Sequence, residues 1–280
     1  MCYEETIQIL SKAGVDSPRL EARLLIANIL GISPNDVCAQ TVVGKKLQAQ
    51  LQADIQKRLA GMPIDKILGH REFYKYDFIT SEDVLSPRPD TEILLNTALD
   101  LIHQNDFKSV LELGIGSGCV LLSILKEFTN IQGVGVDILS KALKIAIQNA
   151  NRLNVAKRCR FIQKSWFDED FIPTLNEHFD FIVSNPPYIP TADISSLDIS
   201  VQKYDPLIAL DGGLDGLKDY RRIAETAPFL LNKKGYIALE IGINQAKNVQ
   251  TIFEKHGFKH IKTFPDLAGI ERVVLFRKKC

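Results

Sequence analysis

Apolar and polar positions alternate along this chain in two rhythms, and the change of rhythm divides it. Up to about residue 75 the apolar residues recur at helical spacing. Ile7, Ile9 and Leu10 lie in a first stretch, Thr6 to Lys12, that ends before Gly14. Ser17 and Pro18 open a second helix and Gly31 closes it, with Leu20, Leu24, Ala27 and Leu30 predicted to form its inner face. A further helix, Lys46 to Ala60, carries Leu47, Leu51, Ile55 and Leu59 at every fourth position before Gly61-Met62-Pro63. Short helices hold only by burying their faces against one another, so this part reads as a small bundle. It carries no catalytic pattern and suits either packing or the docking of a protein substrate.

From Ser109 the rhythm is different. Short apolar runs alternate with helical patterns, which is the signature of an α/β domain. Strands are predicted at Ser109 to Leu113, Gln132 to Val136, Cys159 to Gln163, Phe179 to Ser184, Tyr236 to Ile241, His260 to Phe264 and Arg272 to Phe276. Helices are predicted from Cys119, over Lys141 to Leu153 with Leu143, Ala146, Ile147 and Ala150 inward, over Leu217 to Asn232, and over Gln245 to Lys255. Between the two parts, Glu72 to Thr80 alternates aromatic and polar residues, as a short hairpin does. Ser86-Pro87-Arg88-Pro89 is a stiff extended segment, and Asp90 or Thr91 is placed to cap a helix over Glu92 to Leu101. The domains read as 1–71, a helical unit that docks substrate; 72–86, a hairpin linker; and 87–280, the α/β domain. Residues 189–216 show no clear period, and their place after a strand end suggests a cover over a substrate.

The candidate chemistry lies at the ends of those strands. Gly114-Ile115-Gly116-Ser117-Gly118 joins the first strand to its helix, an arrangement that brings a ligand against backbone N–H groups. The G-x-x-G part of the dinucleotide fingerprint is missing, because Cys119 stands where the last glycine belongs. Asp137 ends the next strand, where a carboxylate suits the hydroxyls of a ribose or the start of a helix. Trp166, the sole tryptophan, follows the third strand and suits either an adenine face or a core lid. Asn185-Pro186-Pro187-Tyr188 closes the fourth. Two prolines fix the backbone and remove competing donors, so the Asn185 side-chain oxygen and the Pro186 carbonyl can accept both hydrogens of one planar NH₂ group. Tyr188 can lay its ring over that group. The result is a clamp for an amide or exocyclic amine.

In this order and spacing, Glu112 to Gly118, Asp137 and Asn185 to Tyr188 resemble the class I S-adenosylmethionine-dependent amino-methyltransferases. Pro87 to Glu92, Asp205 to Leu210, Gly212 to Leu217, and Glu240-Ile241-Gly242 with Gln245 are similar to the release-factor glutamine methyltransferase family, the PrmC/HemK group. The resemblance runs from about Ser17 to Arg277. It implies a Rossmann-like, seven-stranded, mostly parallel sheet after a helical bundle and a β-hairpin linker. It also implies methylation of the glutamine side-chain nitrogen in the Gly-Gly-Gln motif of class 1 peptide chain release factors. By that resemblance Gly114 to Gly118 cradle the methionine end of S-adenosylmethionine, Asp137 binds its ribose and Trp166 lies along the adenine. Asn185 borders the cofactor, and with Pro186, Pro187 and Tyr188 holds the glutamine amide. Four residues depart from the family pattern: Ile115 for Thr, Lys66 for Tyr, Ser165 for an acid, and Asp205 for Glu.

Composition narrows the partners. Lys+Arg and Asp+Glu are 34 each, so the formal net charge is zero, which disfavours binding carried mainly by nucleic-acid phosphates. Five scattered cysteines without a C-x-x-C pair read as reduced thiols of a cytoplasmic protein. The N-terminus opens Met1-Cys2-Tyr3-Glu4-Glu5 without a basic region, so neither leader nor membrane span is expected. His256 and His260 have a metal-like spacing, but Gly257 interrupts the helix such a pair needs, and no metal is expected. A monomeric enzyme acting on a protein is the main reading. A ribosomal-protein glutamine methyltransferase, a nucleic-acid N-methyltransferase and a non-catalytic cofactor-binding scaffold remain as alternatives.

Overall fold

Pro18 occupies the first turn of its helix and Gly31 the left-handed position after it (φ 65°) in the computed structural model, which describes residues 1–279. The first unit comprises Met1–His70 together with Asp198–Tyr204. Its helices are α1 (Tyr3–Lys12), α2 (Pro18–Leu30), α3 (Lys45–Leu59) and α4 (Ile64–Leu68). Leu10, Ala22, Leu25, Ile26, Leu51 and Ile55 form its core. Of the predicted inner face of α2, Ala27 is buried but Leu20 is exposed, and Ala22, Leu25 and Ile26 are buried instead. Of the four predicted positions on α3, Leu51 and Ile55 are buried, and Leu47 and Leu59 lie outside. Apolar spacing names a stripe, but the neighbouring helices choose which edge of it is covered. Arg58 joins α3 to α2 through two bonds to the Glu21 carboxylate, at 2.6 and 3.1 Å.

The second unit comprises Arg71–Leu197 and the residues from Asp205 onward. It opens inside the hairpin of β1 (His70–Phe73) and β2 (Tyr76–Ile79), whose first residue falls in the first unit. The hairpin therefore ends at Ile79, well before the predicted limit at residue 86. There follow α5 (Thr91–Gln104), β3 (Ser109–Leu113), α6 (Cys119–Glu127), β4 (Gln132–Asp137), α7 (Ser140–Arg152), β5 (Cys159–Gln163), α8 (Phe171–Leu175) and β6 (Phe179–Ser184). After β6 the chain forms α9 (Ile199–Tyr204), then α10 (Lys218–Leu230), β7 (Leu231–Glu240), α11 (Ala246–Lys255), β8 (Phe258–Pro265) and β9 (Glu271–Lys278). The segment read as aperiodic holds α9 and two 3₁₀ turns, Thr191–Ser196 and Leu207–Ala209. Helix α9 belongs to the first unit, where the Tyr204 hydroxyl donates to the Ala60 carbonyl at 3.2 Å, so a single cut near residue 71 does not divide the chain.

The large sheet has the order β5-β4-β3-β6-β7-β9-β8. All its pairs from β5 to β7 are parallel, and β9 runs antiparallel between β7 and β8. Strand residues alternate between two cores. Val110, Phe181, Val183 and Ala238 meet α5, α6 and α7 on one face, and Leu111, Leu113, Ile182 and Leu239 meet α10 and α11 on the other. On α7 the inner face includes Asn149, whereas the predicted Ile147 is exposed. Strand order reverses between β3 and β6. A crevice opens at such a switch point beyond the strand ends. Among the described residues no helix is long and apolar enough to cross a membrane.

Candidate active site

A cavity of about 390 Å³ opens at this switch point, within the range of small-molecule sites. The loop after β3 forms one wall. Gly114, Gly116 and Gly118 all have positive φ (74°, 52° and 82°), a region where a Cβ is strained, so the loop turns sharply and presents its backbone to the cavity. Ile115 points away from it into the core and is 2% exposed. A Cβ on Gly135 of β4 would come within 2.1 Å of the Ile115 side chain. Gly135 thus makes the space that the bulky residue at 115 requires. Asn149 supports the loop from behind: its amide donates to the Ser117 carbonyl at 2.9 Å and to the Ile79 carbonyl at 3.1 Å, and its oxygen accepts from Ile79 N–H at 2.8 Å.

Two carboxylates face the same space. Asp137 accepts from Gly116 N–H and Leu139 N–H, both at 2.9 Å. Burial raises its pKa, while those backbone donors pull it back. Glu112 is buried within β3 and accepts from Leu121 N–H at 3.0 Å. Burial pushes its carboxyl well above the usual range, and the nearby Asp137 adds to the rise. A carboxylate inside an otherwise apolar strand was the sequence signal for Glu112 as a site residue in its own right.

Trp166 lines the cavity beside the loop. Its indole N–H donates to Asp219 at the start of α10 (2.9 Å), and its ring edge lies 3.5 Å from where a Gly114 Cβ would be. Ser165, in the departure from an acid, still fills a local acceptor role: its hydroxyl accepts from Phe167 N–H at 3.1 Å. Asp205 reaches Arg88 at 2.7 Å, so the shorter acid still joins the Pro87-Arg88-Pro89 segment to the Asp205-Pro206 turn.

The opposite wall is the end of β6. Ser184 anchors it by donating to the Leu113 carbonyl of β3 at 2.7 Å. Asn185 and Pro187 line the cavity, whereas Pro186 is buried and Tyr188 packs back against the core, with its ring near Gly242. The Tyr188 carbonyl accepts from the Gln245 amide at 2.9 Å. Gly216 crosses so near that a Cβ there would sit 2.3 Å from the Tyr188 oxygen, which accounts for a glycine at that point. The structure brings Gly114 to Ser117, Asp137, Trp166, Asn185 and Pro187 to one cavity, and Gly118, Pro186 and Tyr188 are not among the residues that line it.

Asp90 stands at the N-cap position of α5, though its side chain makes no cap bond, and Thr91 is the first residue of the helix rather than its cap. The Thr91 hydroxyl accepts instead from the Asn185 amide at 3.3 Å. His256 and His260 are engaged locally, His256 with the Ile252 carbonyl at 2.8 Å and His260 with Thr263 at 3.0 Å. Among the described residues no group of three His, Cys, Asp or Glu is placed to hold a metal ion.

Residues 2–69 match the PrmC N-terminal domain family, and residues 77–199 match the methyltransferase small domain family. A release factor glutamine methyltransferase of Agrobacterium fabrum is 40% identical over 96% of this chain and 93% of its own length. The chain belongs to the release factor glutamine methyltransferase family. A second relative of that name, from Rhodospirillum rubrum, is 41% identical over 96% of this chain and 82% of its own length. The ribosomal protein L11 methylase of Lactobacillus delbrueckii subsp. bulgaricus, at 16% identity, shares the fold alone, with a TM-score of 0.51 over 71% of this chain and 84% of its own. The family's methyl donor, S-adenosylmethionine, fits what the cavity offers: a turned backbone loop, a carboxylate at the end of β4 and an aromatic wall.

Proposed function

We propose that this protein transfers a methyl group from S-adenosylmethionine to the side-chain amide nitrogen of the glutamine in the Gly-Gly-Gln motif of class 1 peptide chain release factors. The observation that carries the reading is one cavity in which the Gly114 to Gly118 loop faces Asn185 and Pro187 across the switch point. The full-length likeness to release factor glutamine methyltransferases supports the substrate.

Gly114 to Gly118 and Glu112 would hold the methionine end of the cofactor, Asp137 the ribose, and Trp166 an aromatic face. Bound there, the cofactor would supply a methyl group on a positively charged sulfur, whose carbon–sulfur bond breaks as the methyl leaves and whose electron pair stays on a neutral thioether. A carboxamide nitrogen is a weak nucleophile because its lone pair is shared with the carbonyl, so the protein's contribution is position. Asn185 lines the cavity, and its oxygen would accept one amide hydrogen; Pro186, buried behind that wall, would offer its backbone carbonyl to the other, and together they would aim the nitrogen at the methyl carbon, with Pro187 and Tyr188 holding the clamp rigid. As the new bond forms, the nitrogen gains positive charge, and the same two dipoles interact with it more strongly. The proton then becomes acidic and leaves to solvent.

In this reading the enzyme is a cytoplasmic monomer whose helical unit docks a protein partner, with no nucleic acid or membrane involved. The balance of 34 basic and 34 acidic residues supports a protein partner over nucleic acid. The test is transfer of labelled methyl to a purified class 1 release factor, beside one carrying Gln→Ala in its Gly-Gly-Gln motif. Label on the intact factor alone is expected. Equal label on both, or none on either, rejects the proposed target.

A further inference from the structure

A side-chain amide is nearly symmetric in shape, so Asn185 can present either its oxygen or its NH₂ to the cavity. Only the oxygen serves the clamp, because an NH₂ would meet the donors of the substrate amide head-on. Something in the fold must choose between the two.

Sheet register supplies the candidate. Strands β6 and β7 are parallel neighbours with Ser184 opposite Leu239, so the next residues along, Asn185 and Glu240, stand side by side on the face that α5 covers. Glu240 is 2% exposed, and Oε2 of its carboxyl is buried without a hydrogen-bond partner among the described residues. The Tyr220 hydroxyl donates to the Glu240 carbonyl at 2.8 Å and holds this strand end in place. Thr91 and Asn185, which are joined to each other by their own hydrogen bond, both act on the Glu240 carboxyl in favour of its charged form. Asp90 at the start of α5 and Arg272 on β9 are the charged groups that act on it, with opposite signs, and the Tyr188 and Tyr220 hydroxyls feel its charge.

We propose that Glu240, acting with Thr91, is a positioning residue that turns the Asn185 amide so that its oxygen faces the reacting nitrogen. Above about pH 7, where the folded chain gives up the Glu240 proton, its carboxylate only accepts hydrogen bonds, and the kinetics below are read at pH 8. Thr91 accepts from Asn185 at 3.3 Å and has its own proton left to direct at the carboxylate. The Asn185 NH₂ is drawn to the same pair, which leaves Oδ1 for the cavity. A buried carboxylate is costly to keep, and one placed here without a full set of partners serves orientation better than stability. This role rests on the amide-clamp reading above.

The test measures kcat and KM for the release factor in Glu240→Gln, Glu240→Met, Thr91→Val and Thr91→Ser, with cofactor affinity read from the fluorescence of Trp166. Glu240→Met, which has no strong acceptor, is expected to lose tenfold or more in kcat, with cofactor Kd and thermal stability held or improved; Glu240→Gln falls between it and wild type. Thr91→Val loses kcat likewise, and Thr91→Ser recovers most of that loss because it keeps the hydroxyl. Wild-type kcat in Glu240→Met overturns the role, and so does a loss that follows falling stability across the series. Failure of the wild-type enzyme to label any release factor rejects the clamp reading itself, an outcome visible before any variant is compared.

Discussion

The indole N–H of Trp166 donates to the carboxylate of Asp219 at 2.9 Å. That bond spans the loop after β5 and the start of α10, and it sets the plane of the one tryptophan in the chain. Its ring edge then rests beside Gly114, the first glycine of the loop. Asp219 is buried enough that its pKa rises, with Trp166 acting against the rise, so the carboxylate has been kept in an unfavourable place for this contact.

Removing the acceptor should free the ring. A hydrogen bond to a charged group contributes about 1.5–3 kcal/mol, and about 1.4 kcal/mol is a tenfold change in affinity. Asp219→Ala is therefore expected to weaken S-adenosylmethionine binding about tenfold. Titration followed by Trp166 fluorescence checks this; unchanged affinity would show that the ring is held by packing alone.

In the proposed clamp Asn185 supplies the side-chain acceptor. Asn185→Ala is expected to bind the cofactor as wild type does and to lose on the order of 10²-fold or more in kcat, as when a single oriented dipole is removed from a transition state. Single-turnover methyl transfer, paired with a binding titration, separates the two effects. Turnover near that of wild type would leave the clamp without support.

Ile115 and Gly135 form a size-matched pair. A Cβ at 135 would lie 2.1 Å from one Ile115 carbon and 3.1 Å from the next. Gly135→Ala should destabilise the fold by about 1–3 kcal/mol, the usual cost of overpacking. Ile115→Ala in the same chain should return much of that loss. Denaturant unfolding of both singles and the double variant gives the coupling, and purely additive effects would rule out the pairing.

Glu240 makes stability depend on pH. Burial and the neighbouring Asp90 lift its pKa from 4.5 to about 7, against the pull of Thr91, Arg272 and Asn185. The folded chain holds a proton that the unfolded chain releases between those two values, so this group's contribution falls as pH rises through the window and is fully lost above about pH 7. The shift corresponds to about 3 kcal/mol. Glu240→Gln removes the effect, so its stability relative to wild type should be higher at pH 8 than at pH 4.5 by a margin of that order. Parallel unfolding curves at the two pH values measure it; a constant difference would mean that the carboxyl is solvated.

Much of the site was legible because its signals are local. Ser109 to Leu113, the glycine loop and the helix from Cys119 follow one another without interruption, and the structure gives β3 and the start of α6 at those residues. Asp137 and Asn185 sit at strand ends because apolar runs stop where water begins. Two prolines and an Asn constrain their own backbone wherever the chain lies. These features depend on residues within a few positions of one another, so the sequence by itself determined them.

What the sequence could not determine was which distant groups meet. Thr91 has the chemistry of a helix cap, yet its hydroxyl serves Asn185. Leu20 and Ile147 have the spacing of core residues, yet lie outside, and Asn149 is buried because three backbone groups near it need partners. Glu240 became a site candidate only through the parallel register of β6 and β7, and Asp198–Tyr204 joined the helical unit across more than a hundred residues of intervening chain. Periodicity and turn chemistry act over one or two turns of chain. Register, the covered side of a helix and the partner of a buried polar group are set by strands and helices remote in sequence, and only the tertiary structure decided them.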